Sequence, residues 1–168
     1  MITSDYDIKY QRWRVRTVWC VSVLFAMCWN MLPLTVAWQW IFPDALLLVC
    51  LFWTIKDDSP RSLITVCLLG LLMDLATGAL LGFHAFGYVI VIFIAARFRK
   101  VLSSLPIWQQ GFFVTLLVKV NQCLQWVVLQ YIGLSMSAWC LLSPWVAGYL
   151  VWPLLVVALQ AGLSRRQY

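Results

Sequence analysis

Long apolar runs alternate with short polar or charged stretches from one end of the chain to the other. Each run approaches the ~20 residues that an α-helix needs to cross a bilayer. The pattern predicts six helical segments, at about 17–36, 42–55, 62–81, 84–96, 107–132 and 138–163. The segment at 42–55 is the short one, ~20 Å long against a hydrocarbon core of ~30 Å. Pro43 and Asp44 open it with chemistry suited to a helix N-terminus, and Trp53 stands near its end. "KDDSPR" at 56–61 and "RFRK" at 97–100, with the Ser/Pro stretch behind it, read as loops. Pro33, Pro144 and Pro153 are expected to end or bend their segments.

Composition strengthens this reading. Of 168 residues, 64% are hydrophobic and 11% charged, more apolar surface than a soluble domain of that size can bury. The sequence therefore predicts one polytopic, all-α membrane domain over 1–168, with 1–16 as a polar tail. The net charge of +6 is a topological signal here, and nucleic acid is not an expected partner. The tail, "KDDSPR", "RFRK" and "SRRQY" hold every Lys and Arg except Lys119. Six spans place all four stretches on one side, so both termini are expected in the cytoplasm. Trp13, Trp38, Trp40, Trp53, Trp108 and Trp139 fall near predicted span ends, as an interfacial belt would. The six cysteines all lie in apolar segments, without a Cys-x-x-Cys pair or a His at ligand spacing. They read as reduced, small hydrophobic side chains, and neither a metal nor a cofactor is expected.

Two charges fall deep inside predicted spans, Asp74 and Lys119. Each lies ~20 Å in from the basic side, counted along a helix, where a charge facing lipid costs ~2.5–3.5 kcal/mol. Thr115, Lys119 and Gln122 share one helical side, extended by Asn121 and Gln125, and this polar face is expected to look inward. Equal depth and opposite sign make an Asp74–Lys119 pair one expectation. Separate hydrogen-bonded partners for each are the other. Gly70, Asp74, Gly78 and Gly82 recur at four-residue spacing. On a continuous helix they would form one face that admits a neighbouring backbone. His84 follows just beyond, where a hydrogen-bonded side chain is the ordinary reading.

"FPDALLLVCLFW", Pro60, "GLLMDLATGALLGFHA", "WQQG" and the late Trp152–Pro153 together resemble the MreD family of bacterial rod-shape-determining membrane proteins. The sharpest part is Gly70, Leu71, Asp74, Gly78, Leu81 and Gly82, with Pro43 and Trp53 also matched. The resemblance implies a multi-pass protein of the bacterial inner membrane, with a fold similar to the substrate-binding subunits of vitamin transporters. It implies work beside a bitopic MreC-type protein. An MreB-type filament, a RodA-type polymerase and a penicillin-binding transpeptidase belong to the same cell-elongation machinery. Lys119 lies outside the family motif, and a homodimer is left open.

Chemistry-bearing constellations are absent from the sequence. It has no Ser/His/Asp set, no paired carboxylates at catalytic spacing and no phosphate-cradling loop on a soluble fold. The expected function is a non-enzymatic membrane scaffold of the rod complex. The alternative is a small transporter or substrate-capture subunit that uses Asp74 and Lys119.

Overall fold

A computed structural model describes residues 3–32, 43–56, 63–133 and 145–164. Among these residues the chain is helical throughout, with no strand: α1 (Thr3–Asn30), α2 (Ala45–Lys56), α3 (Leu63–Thr77), α4 (Phe83–Arg97), α5 (Arg99–Ser104), α6 (Ile107–Tyr131) and α7 (Trp145–Ser164). A helix lies in each of the six predicted segments. Pro33, Trp38, Trp40, Trp139, Cys140 and Pro144 fall outside the described residues. α6 is long and apolar enough to cross a bilayer on its own, while α2, α3, α4 and the Gly148–Leu163 part of α7 are shorter apolar helices.

Boundaries differ from the sequence expectation at several points, among them the end of α1 at Asn30 instead of 36 and the start of α2 at Ala45 instead of 42. α1 begins at Thr3 and runs straight through the stretch expected as a tail. Nothing between Thr3 and Asn30 is Gly or Pro, so charge alone does not stop the helix. α3 ends at Thr77, four residues before the expected 81. The stretch after Arg97, expected as loop, forms the six-residue helix α5.

α2 is the centre of the bundle. Leu46 to Trp53 and Ile55 are all buried, because α2 packs against α1, α4, α5, α6 and α7. A helix that is apolar on every side needs such an enclosure. Trp53, expected at an interface, is instead 4% exposed and donates its indole N–H to Ser22 Oγ at 3.1 Å. The surrounding helices turn large apolar side chains outward: Phe25 on α1, Leu68 and Leu75 on α3, Phe86 and Phe93 on α4, Phe112 on α6, and Leu154 on α7.

α3 and α4 form the tightest pair. A Cβ at Gly70 would overlap the Ala85 backbone, 2.8 Å from its nitrogen. The turn between them carries two glycines in the left-handed region, Gly78 at φ 67° and Gly82 at φ 95°. Ala79 N–H bonds back to the Asp74 carbonyl at 3.0 Å, closing α3 with a Schellman motif in which Gly78 is the left-handed residue. At the opposite end of the bundle, Arg14 donates to the Gly162 and Leu163 carbonyls, both at 3.2 Å. This cation sits on the negative end of the α7 dipole and joins the two terminal helices.

Candidate functional site

Two aspartates at one end of the bundle, Asp44 half-buried and Asp74 fully buried, each hold the start of a helix. Asp44 is the N-cap of α2. Its Oδ1 accepts the backbone N–H of Leu46 at 3.1 Å and of Leu47 at 3.2 Å. These donors would otherwise lack intrahelical partners. The same oxygen accepts from Asn30 Nδ2 at 2.6 Å, and Asn30 Oδ1 takes the Ala45 N–H at 3.1 Å. Asn30 is the last residue of α1, so the end of α1 and the start of α2 are tied together. The second oxygen of Asp44 accepts the Tyr88 hydroxyl from α4.

Asp74 does the same for α4, from a distance. It stands near the C-terminus of α3, 1% exposed. Its Oδ2 accepts the Gly82 N–H at 2.8 Å, and its Oδ1 accepts the His84 N–H at 2.8 Å. Gly82 is the N-cap residue of α4 and has no side chain to cap with. The carboxylate from the neighbouring helix supplies what is missing, at the positive end of the α4 dipole. His84 Nδ1 adds a third contact to Oδ1 at 2.8 Å. The ring must carry its proton on Nδ1 to donate there.

His84 and Tyr88 are one helical turn apart on α4, with ring centroids 6.0 Å apart. The chain Asn30–Asp44–Tyr88–His84–Asp74 therefore links α1, α2, α3 and α4 through four elements of backbone and five side chains. Among the described residues the donors to Asp74 are Gly82 and His84. Lys119 is not among them, so the carboxylate is served within its own hairpin.

α6 carries the second polar group. Thr115, Lys119, Asn121 and Gln122 are all buried. Thr115 turns its hydroxyl to the Gly111 carbonyl at 2.8 Å. The side-chain oxygen of Asn121 lies against Gly87 of α4, at a point a Cβ would occupy. Asn121 Oδ1 and Gln122 Oε1 have no hydrogen-bond donor among the described residues. Nearer the start of α6, Gln110 Nε2 donates to the Leu102 carbonyl at 3.0 Å, and Trp152 Nε1 donates to Gln110 Oε1 at 3.2 Å. That pair of bonds clips α5 and α7 to α6. No group of three His, Cys, Asp or Glu side chains that could hold a metal occurs among the described residues.

Residues 11–161 match the family described as rod shape-determining protein MreD. The chain belongs to the MreD family. It is 29% identical over 130 residues to "Rod shape-determining protein MreD" of Haemophilus influenzae (strain ATCC 51907 / DSM 11121 / KW20 / Rd), a match that covers 77% of this chain and 80% of that protein. No solved structure matches.

The MreD motif residues do not share one helical face. Gly70 gives α3 its close approach to α4. Leu71 is half-buried beside it, and Asp74 caps the next helix. Gly78 and Gly82 lie beyond the end of α3, each with open space where a Cβ would stand. Their spacing serves turn geometry, because only a left-handed residue closes α3 and reopens the chain into α4. Leu81, at the tip, is 73% exposed. Pro43 is buried just ahead of the Asp44 cap, outside the first helical turn. Asn30 and Tyr88 escape a reading of the sequence, while Gln110 and Trp152 enter it only as parts of the family-like stretches "WQQG" and Trp152–Pro153, without their mutual bond. The one available signal is the four-residue step from His84 to Tyr88, which puts both on one face of α4.

Proposed function

We propose that this member of the MreD family is a non-enzymatic scaffold of the rod complex, seated in the bacterial inner membrane with six spans and both termini in the cytoplasm. The observation that carries this reading is how the two aspartates are used. Every described hydrogen bond of Asp44 and Asp74 holds a helix end or a neighbouring helix in place. Groups spent in this way fix a shape and do no chemistry. A fixed shape is what a partner-positioning protein requires. The outward apolar side chains on α1, α3, α4, α6 and α7 suit a lipid solvent.

Orientation follows from charge. Arg14, Lys56, Arg97, Arg99 and Lys100 gather at the end of the bundle opposite Asp44 and Asp74. The positive-inside rule puts that end in the cytoplasm. The partners implied by the family resemblance are an MreC-type bitopic protein, with the MreB-type filament, RodA-type polymerase and penicillin-binding transpeptidase in the same assembly.

Complementation tests the scaffold role. A rod-shaped host stripped of its own family member should regain rod shape when supplied with this chain, and should yield the bitopic partner on crosslinking. Asp74→Leu should still reach the membrane but lose both. Full rescue by a variant whose bundle no longer assembles in detergent would contradict the role.

A further inference from the structure

We propose that the turn between α4 and α5 is a binding site for the phosphodiester headgroup of an anionic phospholipid. A half-open recess of about 560 Å³ is lined there by Ala96, Arg97, Arg99, Lys100, Val101 and Ser103. Three cationic side chains thus converge on one concavity within four residues, while the Ser103 hydroxyl on its wall is spent on the Lys100 carbonyl at 3.1 Å. A phosphate bearing a net negative charge is the group that such a donor set receives best.

The recess is held firmly by its surroundings. Leu102 points into the core at 3% exposure. Its carbonyl accepts from Gln110, which Trp152 holds in turn. α5 also packs against α2, α4 and α6. The cations are therefore presented by an anchored turn, so less ordering entropy is lost on binding than with a mobile tail.

The flanks of the recess select lipid over a free anion. Phe98 is 57% exposed and Val101 56%, immediately beside Arg97, Arg99 and Lys100. Trp108, two residues into α6, is 61% exposed. Apolar and aromatic side chains alternating with cations match a headgroup whose acyl chains continue into the hydrocarbon. An inorganic phosphate would gain nothing from them. The inference rests on the proposed membrane seating with this end in the cytoplasmic leaflet, where such lipids attract basic segments.

The test uses the full chain in mild detergent, with bound lipid read by native mass spectrometry. Phosphatidylglycerol should be retained over phosphatidylethanolamine, and 10-fold excess inorganic phosphate should not displace it. The triple variant R97Q/R99Q/K100Q should lose retention on the order of ten-fold or more. Lys100→Gln alone, at an exposed position, should lose a few-fold, so a folding defect in the triple variant cannot conceal the result. Arg16→Gln, at an exposed position on α1, should change nothing. Undiminished phosphatidylglycerol binding in both variants would overturn the site. So would equal loss in Arg16→Gln, which means diffuse charge, or displacement by inorganic phosphate, which means a free-anion site. Recovery of the chain outside the membrane fraction would overturn the seating and this inference together.

Discussion

At Asp74 the carboxylate meets N–H groups on both of its oxygens: Gly82 on one, and the His84 backbone and ring on the other. Asparagine has the same shape but only one acceptor oxygen. Sequence alone makes it a serviceable replacement, since size and hydrogen-bonding capacity are kept. The structure reverses that expectation. Whichever way the amide turns, its NH₂ faces an N–H donor. Asp74→Asn should therefore destabilise the bundle by about 1–3 kcal/mol, and Asp74→Leu by more, because buried donors are left unpaired. Thermal unfolding in detergent checks this, and an Asp74→Asn melting curve equal to the parent's would refute it. Gly78 tells a similar story. Its residue type suggests a packing role, yet nothing lies near its absent side chain, and its backbone is left-handed. Gly78→Leu should cost roughly 1–2 kcal/mol through the backbone alone. Gly78→Asn should cost less, since asparagine tolerates that conformation. Overpacking would penalise both by their size.

Between elements, Gly70 is where bulk is forbidden. The α3 and α4 backbones meet there, so Gly70→Leu must push the hairpin apart. A loss of about 1–3 kcal/mol or more is expected, with a fall in the yield of monodisperse protein. Recovery equal to that of Gly78→Asn would show that the two helices have room to give. The legibility of elements follows the same physics. α6 is readable almost to the residue, because Pro106 and Gly133 fence one long, mainly apolar stretch whose polar residues keep helical spacing. The end of α3 is not legible, because glycines four apart imitate a helical face while two of them serve a turn. α5 is hard to read because it is only six residues long, mostly basic or hydroxylic, with Leu102 alone turned into the core. Asp44 could be recognised as a cap from its place after Pro43. Its bond to Tyr88, 44 residues away, could not, since nothing local encodes it.

Taken whole, the bundle gathers its cations at one end, with Lys119 the one described cation away from it, while Asp44 and Asp74 mark the other. In a cysteine-free background, a cysteine at position 58 should resist a membrane-impermeant thiol reagent in intact cells. One at Leu81, exposed at the tip of the α3–α4 turn, should react. The reverse pattern would invert the orientation, and labelling at both sites would break the six-span count.

The enclosure of α2 also has a meaning in time. Chains are made from the N-terminus, so α2 leaves the ribosome when only α1 is available to cover it. α4, α6 and α7, which surround it in the finished bundle, do not yet exist. Its uniformly apolar surface suits this sequence of events, because lipid can shelter the nascent helix on every side until later segments displace it. A photoreactive side chain at Leu48 should thus capture lipid in chains halted near residue 110, when α2 has cleared the ribosome and α4 has not. In the complete chain, where Leu48 is 1% exposed, it should capture protein alone. The centre of the structure would then be among the first parts to enter the membrane and the last to be separated from it.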